Sequence, residues 1–140
     1  MIRADRLEKL AAFLDTLPKE KFDFDTVWES GDCGSVGCAI GWTPVVFPDL
    51  VRRLHPHSRY FYAGKYGKTE RDYDELAMWL FSMPAVDSHA LFTPGFASDA
   101  KAPGCRRLNS QASPKAVAKN IRRYIAANCS KIETVEVKQK

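Results

Sequence analysis

No stretch of this chain approaches the roughly 20 consecutive apolar residues that a membrane-spanning helix needs. Its first residues, MIRADRLEKL, put charges where a secretory leader needs an apolar centre. Together these predict a cytoplasmic protein with no membrane partner. Cysteine is sparse as well: four in 140 residues do not make a disulfide framework, and a reducing compartment would keep them as thiols. Histidine is scarcer, with three, and no histidine motif points at a nucleophile. The Gly-Lys-Ser/Thr of a Walker phosphate loop is missing. No internal repeat and no low-complexity segment is found.

What is there is an ordinary globular composition, 45% hydrophobic and 27% charged. A chain this long can bury about two-thirds of its unfolded surface without a staple. One globular domain is expected over residues 1–129, with 130–140 as an edge strand or a disordered tail. The net charge of +4 is unevenly spread. Residues 1–50 hold five Lys/Arg against nine Asp/Glu, and residues 51–140 hold sixteen against eight. Such a basic C-terminal part can face nucleic acid or an acidic partner, or be a solvated surface.

Helical periodicity is clearest at both ends. Leu7, Leu10, Leu14 and Leu17 make one stripe, with Asp5 placed to cap the start and Pro18 forcing an exit. Ser113-Pro114 reads as an N-cap and first helical position. Val117, Ile121, Tyr124 and Ile125 then face the core, and Lys115, Lys119, Arg122 and Arg123 lie away from it. In between, Phe22, Phe24 and Trp28 read as aromatics pinning a loop. Ser35 is expected to cap a helix over Val36–Trp42, with further short helices at Thr43-Pro44 and after Pro48 up to Leu54. HPHSRYFYAGKYGK reads as a hairpin or an irregular loop. Thr69 opens another helix with Asp72 completing an acidic capping box, and DSHALF is a helical turn ending at Thr93-Pro94. The fold class is mainly α: a compact single domain of several short helices with irregular loops and room for a small β-hairpin.

The segment SGDCGSVGCAIGW carries most of the candidate chemistry. Four uses are open. Cys33 and Cys38 form a C-x₄-C pair, at the edge of the zinc range, whose second pair would come from His55, His57, His89, Cys105 or Cys129. Cys33 at a helix start would have its thiolate stabilised. The backbone N–H groups of Gly34, Ser35, Val36 and Gly37 could cradle an anion at a helix N-terminus, although Asp32 repels one. Finally, Gly34, Gly37 and Gly41 could be a bare helical stripe that lets the leucine-striped first helix come close, with the cysteines as small fillers. Elsewhere, Arg52, Arg53, Arg59, Lys65, Lys68, Arg106 and Arg107 are mixed with Tyr60, Phe61 and Tyr62, a composition used to bind nucleic acid.

The succession of PxxKFDF, CGSVGCAIGW, ALFTP and SPKAVAKNIRRYI resembles a group of small phage and bacterial proteins with a C-G-[TS]-x-x-C-x-x-G signature. The similarity covers residues 5–126 and is sharpest over Cys33–Gly41. It implies a phage or prophage setting and action by binding a host component. It brings no activity to any residue here.

The function expected is that of a non-enzymatic protein that docks on a host protein or protein complex. The contact residues expected are Arg59, Tyr60, Tyr62, Lys65, Lys119 and Arg123. The alternatives are a sequestering binder of a nucleotide-like anion at Gly34–Gly37 and a nucleic-acid-binding protein. No cofactor and no metal are expected.

Overall fold

The computed structural model describes residues 2–24, 26, 28–31, 34–53, 60–64, 69–94 and 104–128. It is mainly helical, with two small antiparallel sheets. Helix α1 spans Ala4–Thr16 and buries Leu7, Leu10, Ala11 and Leu14. Asp5 does not cap it. Arg3 holds the N-cap position without a side-chain cap, and its guanidinium bonds Asp5 at 2.8 and 3.0 Å. The helix ends at Leu17 before Pro18, and a 3₁₀ turn follows at Lys19–Lys21. That turn drops Phe22 and Phe24 into the core, as the aromatics of this stretch predict.

The next segment overturns the helix expected at Val36–Trp42. Strands β1 (Trp28–Gly31) and β2 (Gly34–Gly37) form a tight antiparallel hairpin, with Gly31 paired to Gly34 and Trp28 to Gly37. A seven-residue helix would carry two interior glycines, Gly37 and Gly41, each costing up to about 1 kcal/mol, on top of an unfavourable nucleus. The hairpin instead satisfies these backbone groups across a ladder. Gly37 also bridges Phe22, and its carbonyl accepts from the Asp23 N–H at 3.1 Å. There is therefore no glycine stripe, and the neighbour of α1 is another helix.

Chain reversal continues through buried Cys38, Ala39 and Ile40 into the single helical turn α2 (Thr43–Val46), where Pro44 sits in the first turn as expected. The helix expected after Pro48 is a turn and a strand. β3 (Val51–Arg53), β4 (Tyr60–Ala63) and β5 (Thr69–Asp72) form a sheet of order β3-β4-β5. The β-branched Val51 is opposite Ala63, and both are buried. Thr69 thus opens a strand. Helix α3 (Tyr73–Phe81) starts after it, and its capping box is formed by Asp72 and Glu75. α3 stops at Ser82 in a left-handed conformation, and Pro84 precedes α4 (Ala85–Phe92).

Helix α5 (Pro114–Ala127) matches its sequence signature: the Ser113 Oγ accepts from the Ala116 N–H at 3.1 Å, and Pro114 takes the first position. Val117, Ala118, Ile121 and Tyr124 are fully buried. α5 lies along α1, which makes the main helix–helix contact of the molecule. The sheet β3-β4-β5 packs on α2 and α3.

An ion-pair clamp runs beside the α1–α5 seam. Arg122 bonds Glu8 through Nε at 3.0 Å and Asp15 through Nη1 at 2.7 Å. Glu8 and Asp15 are two turns apart on one side of α1. All three side chains are 39–53% exposed, so screening limits the gain. Arg122→Ala is expected to lower stability by about 1 kcal/mol at low ionic strength. A denaturant titration repeated at about 1 M salt should show less than half of that difference.

Among the described residues no helix is long and apolar enough to cross a membrane. The terminal segment 130–140, and with it the expected tail, lies outside the described residues.

Candidate functional site: the outer face of the three-stranded sheet

Strand β4 reads Tyr-Phe-Tyr-Ala, an alternation of period two. Phe61 and Ala63 point inward and are buried. Tyr62 is on the other face and half-buried, and its register partners are Arg52 on β3 and Glu70 on β5. The Arg52 guanidinium lies 5.3 Å from the centre of the Tyr62 ring. One cross-strand row therefore runs Arg52–Tyr62–Glu70, with exposed charges of opposite sign either side of a phenol. Tyr60 takes the next position on β4, opposite Asp72.

The six contact residues expected from sequence divide. Tyr60 and Tyr62 are on β4. Arg59 and Lys65 lie outside the described residues. Lys119 and Arg123 are on α5, which packs on α1 and α4, whereas β4 packs on α3. Lys119 is exposed and Arg123 half-buried, and Arg122, read as part of the same basic face, is tied to Glu8 and Asp15. The expected anion cradle is corrected by the hairpin. Gly34, Ser35, Val36 and Gly37 are strand β2, whose N–H groups lie along a ladder with β1 rather than converging at a helix start. A groove of about 350 Å³ lies beside the start of α5, lined by Lys19, Glu20, Phe22, Asp23, Ser110, Gln111, Ala112 and Pro114. Two carboxylates against one ammonium make it a poor home for an anion.

The two described cysteines, Cys38 and Cys105, are no better suited to chemistry. Cys38 is buried in the core, and burial pushes its thiol up to about 11. Cys105 is half-buried and pushed up to about 12 by burial and by the Asp87 carboxylate. Both are thiols at neutral pH, the wrong state for a nucleophile or a metal ligand. Cys33, Cys129, His55 and His57 lie outside the described residues. His89 is 3.7 Å from Asp74, and no group of three or more metal-ligating side chains is gathered among the described residues.

The polar interior is a different kind of cluster. Tyr124, fully buried, donates its O–H to Asp87 Oδ2 at 2.6 Å. Burial, then that bond and the Asp87 charge, raise its pKa from the ordinary 10.0. Tyr124 and both thiols are acids held neutral in the folded protein. Unfolding lets them ionise from about pH 9 upward, so the unfolded state then binds fewer protons. Their stabilisation is complete below pH 9 and is lost as pH rises toward 11–12. Urea midpoints at pH 8 and 10.5 should differ by about 2 kcal/mol of stability, chiefly from Cys38, because the part-exposed Cys105 is screened. Cys38→Ala should flatten that dependence.

Sequence reasoning reached Tyr60 and Tyr62 from composition and included Arg52 only in a list of cations. The alternation of β4 was the signal that turns Tyr62 outward. The partner of Tyr62 required the register, which no local pattern specifies. Comparison with protein-family models, curated proteins and solved structures finds no match to this chain. The fold and the site define a small, mainly helical protein that presents an aromatic–cation row on a sheet.

Proposed function

We propose that this chain is a non-enzymatic binding protein that docks on a protein partner, with the Arg52–Tyr62 pair at the centre of the contact. The observation that carries this reading is the cross-strand stack at 5.3 Å on the face of the sheet turned from the core. Tyrosine and arginine are the residue types that most often dominate protein interfaces, because they offer large area with a polar end. Holding the guanidinium on the ring in advance reduces the ordering cost of binding. The resemblance read from CGSVGCAIGW, to small phage and bacterial proteins, would make a host component the partner.

The carboxylate of Glu70 in the same row favours a protein over nucleic acid. It would face the phosphates that Arg52 attracts. A protein surface with one basic and one acidic group opposite this row is complementary to it. The test is capture of a partner from host lysate by the tagged chain and by Arg52→Glu/Tyr62→Ala. Loss of the captured protein with an unchanged melting temperature supports the reading. Undiminished capture by the double variant, or loss only with Lys119→Glu on α5, rejects it. Fluorescence anisotropy with single-stranded DNA and RNA at low salt separates the nucleic-acid alternative.

A further inference from the structure

Away from the sheet, one face of the molecule carries charge of a single sign. Residues 100–132 hold eight Lys/Arg and no Asp/Glu. On α5, Lys115, Lys119 and Arg123 recur every four residues, so they share one side of the helix at intervals of about 6 Å. This side is turned from the core: Lys115 and Lys119 are exposed and Arg123 is half-buried. A fourth cation is fixed beside them. The Asn120 side chain accepts from the Arg106 N–H at 2.7 Å and donates to the Arg106 carbonyl at 2.9 Å, which leaves the Arg106 side chain exposed. Gly104 of the same segment lies against the Arg123 backbone.

Among the described residues, no hydrogen bond or ion pair engages the side chains of Lys115, Lys119, Arg123 or Arg106. The carboxylates on the helices packed against α5 are used elsewhere. On α1, Glu8 and Asp15 hold Arg122, and Asp5 holds Arg3. On α4, Asp87 is buried and accepts from Tyr124. Glu20 and Asp23 line the groove beside Pro114 and bound the patch at its Lys115 end. The cations of the row repel one another, and a chain of anions laid along it relieves that repulsion.

We infer that Lys119, Arg123 and Arg106, with Lys115 at the edge, bind the phosphate backbone of a DNA duplex. The row spans about 12 Å along α5, the length of three or four phosphates on one strand at about 3.4 Å each. A protein partner fits this face poorly, because interface cores favour aromatic and apolar side chains over lysine. The exposed large apolar residues of the described chain are Val45, Met78 and Val86, and none is on α5 or the segment beside it. A single strand is disfavoured because its bases need aromatic faces to stack on, and Tyr124, the aromatic residue of α5, is fully buried. The major groove of B-DNA is about 12 Å wide and admits an α-helix, whereas that of A-form RNA is deep and narrow. With no base-reading contact assigned, the binding is independent of sequence. This face uses neither Arg52 nor Tyr62 and stands independently of the docking face.

The test is fluorescence anisotropy of a labelled DNA duplex of about 20 base pairs, titrated with the whole chain across a salt series starting at about 50 mM. The logarithm of the binding constant should fall against the logarithm of salt with a slope of about −3 for wild type and about −1 for Lys119→Gln/Arg123→Gln. That double variant should bind at least tenfold more weakly at low salt with an unchanged melting temperature, and Lys119→Gln and Arg106→Gln singly should fall between. Lys9→Gln/Lys21→Gln removes the same charge from exposed places elsewhere and should bind as wild type does. Single-stranded DNA, duplex RNA and a glutamate-rich peptide should each bind more weakly than the DNA duplex. The inference is overturned if the duplex is not bound at low salt, or is bound equally by the folded Lys119→Gln/Arg123→Gln variant. It is also overturned if Lys9→Gln/Lys21→Gln loses as much, or if the single strand, the RNA or the peptide binds as tightly as the DNA duplex.

Discussion

Tyr124→Phe is expected to destabilise the protein by about 3 kcal/mol, more than the loss of one ordinary hydrogen bond. The Tyr124 O–H reaches Asp87 Oδ2 at 2.6 Å, within the short range of charge-assisted bonds. Asp87 stands in the first turn of α4 and is 8% exposed, while Tyr124 is fully buried on α5. Removing the donor leaves a carboxylate inside the protein without the group that solvates it, and water cannot easily take its place. The aromatic ring stays, so no cavity confuses the result. A double-mutant cycle with Asp87→Ala isolates the pair: the double variant should be destabilised by clearly less than the sum of the single changes. Additive effects in chemical denaturation would mean that the bond is not what joins α4 to α5.

The second large effect is expected at Gly104. This residue has φ of +78°, which side chains of L-residues rarely adopt, and it lies against the last turns of α5. A Cβ there would be 2.5 Å from the Arg123 carbonyl oxygen and 2.7 Å from the Ala127 Cβ. Neither can swing away, since one is helix backbone and the other has no rotamer. Gly104→Val combines about 1–2 kcal/mol of backbone strain with about 1–3 of overpacking, so a loss of about 3 kcal/mol is expected. The neighbouring clamp gives the control. Arg106 donates its N–H to Asn120 Oδ1 at 2.7 Å, and Asn120 Nδ2 donates to the Arg106 carbonyl at 2.9 Å. Asn120 is 2% exposed. If Gly104 and Asn120 both act by docking this segment on α5, Gly104→Val and Asn120→Ala should be strongly non-additive in melting experiments. A Gly104→Val protein as stable as wild type would refute the close approach.

Those two sites also mark how far the sequence could be read. The two long helices were legible because their signals are local: the leucine spacing of α1, and Ser113-Pro114 followed by a period of 3.6 for α5. The capping box was legible in its parts and misplaced by a few residues, because Thr69–Asp72 pairs with β4 and delays the helix. Where long-range pairing decides, local cues misled. Gly34, Ser35 and Gly37 read as a turn entering a helix, and pairing with Trp28–Gly31 makes them a strand instead. The same holds for Val51–Arg53, whose strand exists because Ala63 and Phe61 lie opposite. The role of Gly104 depends on a helix that follows it by ten residues, so nothing in its own neighbourhood announces it. At the candidate site, the tyrosines were visible as composition, but Arg52 gains meaning only from register and packing.

The reassignment of CGSVGCAIGW has a functional consequence. As a helix start it would have offered an anion site and an activated thiol. As a hairpin leading into a buried turn it offers backbone pairing and a protonated Cys38 in the core. Its glycines serve the fold, and the proposed docking face lies on the sheet that follows. There, Tyr62 and Arg52 are half-buried and exposed respectively, on a face that no part of the core requires.

The most direct measurement is partner capture from host lysate, read by mass spectrometry, with wild type beside Arg52→Glu/Tyr62→Ala and Lys119→Glu/Arg123→Glu. Thermal melting should first show all three to be folded. A docking face on the sheet predicts one partner retained by wild type and by the α5 variant, and lost by the sheet variant. Retention of the same partner by the sheet variant would contradict it.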